Sequence, residues 1–230
     1  MTSAHSYIVI EIDLNRVMSL LSKERPLFHN EKDFQFSLAW KFQQLNPELS
    51  VRLEKSFGDN REQSEYLDIF VSDRKNVEIG IELKYITALL VTKQKDEQFS
   101  QRNHSANDIR CYDSLKDLER IERLVANKYI SQGYTIWLTN VDAFWNGQPN
   151  GSLYDEFRIF ESRKINGTLN WKTGTGKGTI KNREKPINIK GTYDIKWSKY
   201  SDVVPAPIVP PYTKGTFKYC IIEVTSNSKD

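Results

Sequence analysis

The sequence predicts an α/β protein in which a mixed β-sheet is flanked by helices. Residues 30–46 and 106–128 have the spacing of amphipathic helices, with apolar side chains three and four positions apart. Two short alternating segments around a charged turn lie between these helices, and a mostly apolar strand follows the second helix at residues 134–141. Strands that alternate with helices in this way are typical of a mixed sheet covered by helices.

The sequence pattern changes near residue 150, where alternating segments are separated by glycine turns and no helical period is found. We therefore divide the chain into an α/β core, residues 1–148, and a β-rich C-terminal region, residues 149–230. This region is either a lobe packed on the core or an extension of the same sheet within one domain. A proline-rich connector at residues 203–213 precedes the last predicted strand, TFKYCIIEV.

The composition excludes several classes of protein. Apolar residues make up 38% of the 230 residues and charged residues 27%, which is typical of a globular rather than a disordered chain. Cys111 and Cys220 do not form a disulfide framework, and three scattered histidines do not form a zinc motif. The sequence has neither a run of about 18 apolar residues, as a membrane helix requires, nor a secretory leader. We therefore expect a cytoplasmic protein without a membrane partner.

The first helix is predicted together with its ends. Asn30 is a good N-cap residue, Asp33 stands three positions later as in a capping box, and Pro47 follows the helix. Its apolar stripe consists of Phe34, Leu38, Phe42 and Leu45. Glu31 is in line with this stripe. It is either a solvated first-turn acid favoured by the helix dipole or a carboxylate aimed at a site beneath the helix start.

The stretch from Tyr66 to Tyr85 predicts a β-hairpin with charges on one face. Side chains two positions apart on a strand share a face, so Glu82 and Lys84 point the same way. If the strands pair suitably, Asp68 on the first strand joins them. The alternative is a set of surface ion pairs. Apolar residues on both faces of these strands favour covered strands, in which acids are costly unless they are paired or bound to a metal.

Three acids and a lysine in one pocket would favour metal binding and the activation of a water molecule. Carboxylates such as Asp68, Glu82 and Glu31 repel one another unless a cation neutralises them, and oxygen ligands suit Mg²⁺ or Mn²⁺. Lys84 beside them can orient a water or help to deprotonate it, while the ion stabilises charge on a phosphoryl group under attack. No nucleophilic side chain is required. The combination predicts a site for phosphodiester hydrolysis.

The arrangement of these residues resembles the PD-(D/E)XK, or restriction-endonuclease-like, superfamily of nucleases. Asp68 is followed after thirteen residues by Glu82-Leu83-Lys84, and a helix with Glu31 precedes the hairpin. The resemblance covers about residues 28–141. The sequence of this segment beyond the motif, including FHNEKDFQ, IELKY and GYTIWLTN, also resembles a group of uncharacterised bacterial proteins.

The resemblance implies a restriction-endonuclease-like core and a metal-dependent nuclease whose substrate is nucleic acid, with DNA favoured. Asp68, Glu82, Glu31 and the backbone carbonyl of Leu83 would then bind Mg²⁺ (or Mn²⁺), and Lys84 would be the catalytic lysine. Many members of the superfamily act as dimers, so a homodimer is compatible with the resemblance. The alternative is a catalytically silent nucleic-acid-binding or scaffold subunit on the same fold.

Two departures from the superfamily pattern bear on the activity. Leu67 replaces the proline that precedes the aspartate, but the chemistry belongs to the carboxylate of Asp68. The helix after the hairpin lacks the QxxxY sequence of recombination-type exonucleases, because Asp108 stands four positions before Tyr112. The resemblance therefore favours an endonuclease over a processive exonuclease.

The second helix has an apolar face formed by Cys111, Leu115, Leu118, Ile121 and Val125, and its other face is charged. One interpretation of the charged face is a solvent-exposed surface with two pairs, Asp113 with Lys116 and Asp117 with Arg120. The other is that the helix start borders a cleft and that Arg110 binds a phosphate.

Further basic residues surround the sequence GTGKGT at residues 174–179. This is not a phosphate-binding P-loop, because Gly178 stands where Ser or Thr is required, and we interpret it as a flexible basic turn. Lys177, Lys181 and Arg183 are either solvated charges or contacts with nucleic acid. The formal net charge of +3 favours neither interpretation.

Overall fold

The computed structural model describes residues 12–57, 65–73, 77–104, 106–207 and 214–226. The helices are α1 (Leu14–Glu24), α2 (Glu31–Leu45), α3 (Asn107–Ala126), α4 (Ala143–Asn146) and α5 (Lys177–Ile180), with a 3₁₀ turn at Asp155–Phe157. The strands are β1 (Ser50–Phe57), β2 (Glu65–Ser72), β3 (Glu78–Ile86), β4 (Leu90–Gln94), β5 (Glu97–Gln101), β6 (Gln132–Thr139), β7 (Lys164–Leu169), β8 (Ile187–Asp194), β9 (Trp197–Asp202) and β10 (Thr216–Thr225). No helix within the described ranges is long and apolar enough to cross a membrane.

Six strands form one mixed sheet in the order β1-β2-β3-β6-β10-β9. β3 and β6 pair in parallel, and every other neighbouring pair in this sheet is antiparallel. A parallel pair needs a crossover connection, and the chain makes this crossover through α3. The prediction of an α/β protein with a mixed sheet flanked by helices is confirmed.

Each face of the sheet has its own apolar core. On one face, α1 and α2 pack on the sheet through side chains that include Phe34 and Leu38. On the other face, α3 packs through side chains that include Leu115. The odd-numbered residues of β3 enter the first core. Because side chains alternate along a strand, Glu82 and Lys84 share the other face, as the hairpin prediction expected, and on that face they contact α3.

The predicted ends of α2 are present. The side chain of Asn30 accepts a hydrogen bond from the Asp33 N–H at 3.0 Å, which caps the helix. The predicted stripe is buried at Phe34, Leu38 and Phe42. Leu45 is different, because this last helical residue is 38% exposed and does not join the core. That part of the prediction is wrong.

The C-terminal region contributes to the main sheet as well as covering it. β10 pairs with β6, and β9 forms the edge beyond β10, so the two outermost strands on this side come from residues 149–230. β7 and β8 form a separate antiparallel hairpin that packs on α3. The basic turn predicted at residues 174–179 contains most of the short helix α5. Residues 208–213 of the predicted proline-rich connector lie outside the described residues.

The carboxylate of Glu122 attaches the second hairpin to α3. It accepts hydrogen bonds from the N–H of Lys190 at 2.9 Å, the N–H of Gly191 at 2.6 Å and the hydroxyl of Tyr193 at 2.9 Å. Glu122 is buried, so its carboxylate has little access to water and depends on these donors. The three hydrogen bonds therefore hold β8 against the helix.

We expect Glu122→Gln to lower the free energy of unfolding by about 1–2 kcal/mol, because the amide has one oxygen acceptor for three donors. Denaturant titration followed by circular dichroism measures this change. Tyr193→Phe removes only one of the donors and should cost less. Unchanged stability in Glu122→Gln would show that the carboxylate does not hold the hairpin.

Candidate active site

The candidate site lies where β2 and β3 separate. Their pairing ends at Ile69 and Ile81. Beyond this point carboxylates replace β2 as the acceptors on one edge of β3, while its other edge stays paired with β6 as far as Ile86. The Leu83 N–H donates to Asp68 Oδ2 at 2.7 Å, and the Tyr85 N–H donates to Glu31 Oε2 at 2.8 Å. Glu31 thus attaches the start of α2 to β3, and Asp68 of β2 binds the same stretch of β3 where the strand pairing has ended.

Glu31, Asp68, Glu82 and Lys84 come together around this separation. The ammonium group of Lys84 lowers the pKa of both Glu31 and Asp68, but burial is the larger effect and raises the pKa of each above its ordinary value. Asp68 is also close enough to Glu82 to raise the pKa of that carboxyl group. The Leu83 carbonyl lies 3.4 Å from Lys84 Nζ. The predicted residues therefore share one environment.

Two residues of α3 complete the site, and the sequence did not single them out for it. Asp117 forms an ion pair with Lys84, and Arg120 forms one with Glu82. Arg120 also lies 3.0 Å from the other oxygen of Asp117, which is the helical pair that the sequence predicted. Glu82, Arg120, Asp117 and Lys84 thus form a chain of three ion pairs. Both ends of the chain lie on β3, two residues apart, so the strand closes it into what we call the charged ring. It links β3 to α3.

The site as a whole has an excess of negative charge. Its members are Glu31, Asp68, Glu82, Lys84, Asp117 and Arg120, which we call the acidic cluster. Four carboxylates face two cations, so two negative charges are not compensated when every group is ionised. Such an excess is unfavourable away from water unless a proton or a cation neutralises it.

The pKa values of the cluster reflect this imbalance. Glu82 is only 2% exposed, and burial together with the Asp117 carboxylate raises its pKa to about 9. Burial lowers the pKa of Lys84, but the carboxylates of Asp117 and Glu31 outweigh it and raise the pKa above its ordinary value. Lys84 therefore carries its positive charge at neutral pH, which makes it a donor and a source of positive potential rather than a base.

Several buried polar atoms beside the cluster have no hydrogen-bond partner among the described residues. These atoms include Glu82 Oε1, Arg120 Nε, Thr135 Oγ1 and Trp137 Nε1. The register of the parallel pair sets Thr135 beside Glu82 and Trp137 beside Lys84. Buried polar atoms without a partner are costly, and they are typical of places where water, an ion or a ligand binds.

The donor chemistry fits Mg²⁺ or Mn²⁺, but the side chains are not gathered around a cation. Carboxylate and carbonyl oxygens are the ligands that these ions prefer. Glu82 Oε1 is a buried carboxylate oxygen without a partner, and the excess of two negative charges in the fully ionised cluster matches one divalent ion. Within the described ranges, however, no three acidic, histidine or cysteine side chains are arranged to hold a metal ion as they stand. Arg120 instead occupies one oxygen of Glu82.

A surface cleft lies alongside the charged ring. Its lining is entirely charged and consists of Glu65, Lys116, Asp117, Glu119, Arg120 and Arg123. Arg123 pairs with Glu65, and Lys116 pairs with Glu119 at 2.5 Å. Arg120 belongs both to this lining and to the charged ring, so its guanidinium group lies between the cleft and Glu82.

The four basic residues that the sequence predicts as nucleic-acid contacts have different partners and do not form one cluster. Arg110 is in the first turn of α3, where it lowers the pKa of His104 after the larger effect of burial. Lys177 and Lys181 are exposed at the two ends of α5, and neither forms an ion pair with another described residue. Arg183 is held by a carboxylate of α3.

Arg183 makes a bidentate ion pair with Asp113 of α3. Its Nε and Nη2 lie 2.7 Å and 2.8 Å from the two carboxylate oxygens of Asp113. Lys116 pairs with Glu119, so the predicted pairing of Asp113 with Lys116 is wrong. The partner of Asp113 comes from a tertiary contact, because the segment after α5 brings a guanidinium group to it. Spacing within the helix could not predict this contact. Arg183 therefore attaches this segment to α3.

Comparisons of the chain with protein-family models, with curated proteins and with solved structures found no match.

Proposed function

We propose that this protein is a metal-dependent nuclease that hydrolyses phosphodiester bonds, with DNA as its substrate and endonucleolytic cleavage as its mode of action. The proposal is carried by one observation: Glu31, Asp68 and Glu82 converge on Lys84 where β2 separates from β3. Oxygen ligands with an excess of negative charge favour a hard divalent cation, and a charged lysine beside them favours a phosphoryl substrate.

The topology supports a restriction-endonuclease-like core. α2 precedes the antiparallel strands β1, β2 and β3, and α3 then crosses over to β6, which pairs in parallel with β3. The acids are distributed over α2, β2 and β3 in the order that the PD-(D/E)XK resemblance implies. We therefore propose that the chain has this core and that its C-terminal region extends it.

The proposed roles follow from the contacts of each residue. Asp68, Glu82, Glu31 and the carbonyl of Leu83 would hold Mg²⁺ or Mn²⁺. When bound, the ion supplies a Lewis acid that activates water and stabilises charge on the phosphoryl group. Lys84, which is positively charged in this environment, orients the attacking water or the phosphate by donating hydrogen bonds.

The remaining proposals concern the partner and the location. Lys177 and Lys181 are exposed cations suited to the phosphates of DNA, and Arg110 and Arg183 are proposed as further contacts. A homodimer is proposed on the resemblance alone. A cytoplasmic location is supported by Cys111 and Cys220, which are both buried free thiols.

The proposal is tested by incubating the purified protein with duplex, branched and single-stranded DNA in Mg²⁺ or Mn²⁺. We expect cleavage that a chelator abolishes and that Lys84→Ala lowers by about 10²-fold or more, because a preorganised cation is lost. Lys164→Ala, at an exposed lysine of β7 that pairs with Asp194 and not with the acidic cluster, is the matched control. Folded protein that cuts none of these substrates, or full activity in Lys84→Ala, overturns the proposal.

The charged ring favours a second candidate, a catalytically silent nucleic-acid-binding subunit. Arg120 already compensates Glu82, and Asp117 already compensates Lys84, so internal ion pairs satisfy part of the cluster without a metal. DNA binding that persists in a chelator, together with no cleavage in any metal tested, would favour this candidate. Because phosphate contacts release counterions, its affinity for DNA should fall steeply with salt.

A further inference from the structure

Arg120 stands where a bound cation would compete with it. Its guanidinium group pairs with Glu82, the most deeply buried acid of the acidic cluster. The same residue lines the surface cleft beside Glu65 and Glu119. Its Nε has no hydrogen-bond partner among the described residues, so the guanidinium group is incompletely satisfied in its present position.

Asp117 has the complementary position. It pairs with Lys84, whose other carboxylate neighbours are Glu31 and Asp68. Without the charge of Asp117, the ammonium group of Lys84 would be attracted only by the carboxylates that are proposed to hold the metal. Asp117 therefore keeps a positive charge away from those oxygens.

We propose that Arg120 and Asp117 set the affinity of the site for its divalent cation, in opposite directions. Arg120 is an internal cation that competes with the ion for the charge of Glu82, and an ion bound through both carboxylate oxygens displaces its guanidinium group from Oε2. Asp117 retains Lys84 in the charged ring and so leaves Glu31 and Asp68 available to the ion. The inference rests on the proposed function, and it makes both residues positioning residues rather than catalytic ones.

The cleft makes this exchange physically feasible. Arg120 reaches Glu82 from the cleft side, and the lining offers carboxylates at Glu65 and Glu119. A guanidinium group that leaves Glu82 therefore stays near negative charge and water. The helical pair with Asp117 can persist during this movement, because Arg120 contacts it through the oxygen that Lys84 does not use.

The inference predicts shifts of opposite sign in metal affinity. We expect Arg120→Gln to bind Mn²⁺ about tenfold more tightly than the wild type, because the competing charge is lost. We expect Asp117→Asn to bind Mn²⁺ about tenfold more weakly, as is usual when a residue that orients ligands is replaced. Titration of each protein with Mn²⁺, followed by electron paramagnetic resonance of the free ion without DNA, measures the dissociation constants.

Two variants separate this effect from charge in general and from structural damage. Arg123→Gln removes an arginine from the same helix and cleft that pairs with Glu65 and not with Glu82, and should bind within about twofold of the wild type. Arg120→Lys keeps the positive charge and should bind more like the wild type than Arg120→Gln does. Denaturant titration of the metal-free proteins establishes that each variant is folded.

The outcomes distinguish the inference from the proposed function. Folded wild type and folded Arg120→Gln that both fail to bind Mn²⁺ overturn the proposed function and the inference together. Mn²⁺ binding by the wild type with the same affinity in Arg120→Gln overturns the inference alone. So does tighter or unchanged binding in Asp117→Asn, a result that stands even if Arg120→Gln does not fold. Tighter binding in Arg120→Gln with weaker binding in Asp117→Asn supports the inference.

Discussion

Asp68→Asn is expected to lower metal-dependent DNA cleavage by about 10³-fold while leaving the protein folded. The side-chain oxygen of asparagine can still accept the hydrogen bond that the Leu83 N–H now donates at 2.7 Å. What the substitution removes is a negative charge among the proposed ligands of the ion. The loss should therefore appear in activity and in Mn²⁺ binding, not in stability.

Cleavage rates at several Mg²⁺ and Mn²⁺ concentrations, measured beside denaturant titrations, separate these effects. Asp194→Asn is a matched control, because this exposed aspartate at the end of β8 pairs with Lys164 at 3.9 Å. It should leave cleavage unchanged. Cleavage by Asp68→Asn at the wild-type rate would contradict the role assigned to this carboxylate.

Gly133→Ala is expected to reduce the free energy of unfolding by about 3 kcal/mol, at the upper end of the usual cost of overpacking. Gly133 lies on β6 beneath α3, and a Cβ atom there would be 2.3 Å from Ile121 Cγ2. Rotation at Ile130 or Val125 does not relieve this contact, because the obstructing methyl group belongs to Ile121. The β-branched side chain of Ile121 has one strongly preferred χ1 rotamer in a helix. The helix has to move away from the sheet.

Denaturant titration of Gly133→Ala, Ile121→Ala and the double variant tests this explanation. If the clash is the cause, the double variant should lose less stability than the two single variants together. Gly176→Ala serves as the control, since an added Cβ there meets no atom within 4 Å. A Gly133→Ala protein as stable as the wild type would show that α3 is not fixed by this close approach.

Local periodicity explains why much of the fold could be predicted. The capped helix α2 and the apolar face of α3 follow from spacing within one segment, and so do the two faces of β3. The separation of β2 from β3 could not be predicted in this way. An alternating hairpin predicts continuous pairing, whereas Asp68 and Glu31 replace the strand as acceptors through contacts distant in the sequence.

The charged ring was missed for a related reason. Asp117 and Arg120 are three residues apart, a spacing that is common on exposed helix faces and occurs without any site. A usable signal was nevertheless present in β3. Glu82 and Lys84 share a face that the crossover helix has to cover, and buried charges need partners from whatever covers them. The charged positions of that helix were therefore the natural candidates.

The hydrogen bonds that end the β2–β3 pairing make the backbone of β3 a built-in reporter of its side chains. The amide protons of Leu83 and Tyr85 are donated to Asp68 and Glu31, one to each carboxylate. Any event that draws these oxygens elsewhere must change the environment of the two protons. Their resonances in a nitrogen–proton correlation spectrum should therefore move together when the site is occupied, and an amide such as that of Tyr134 on β6 supplies an internal reference.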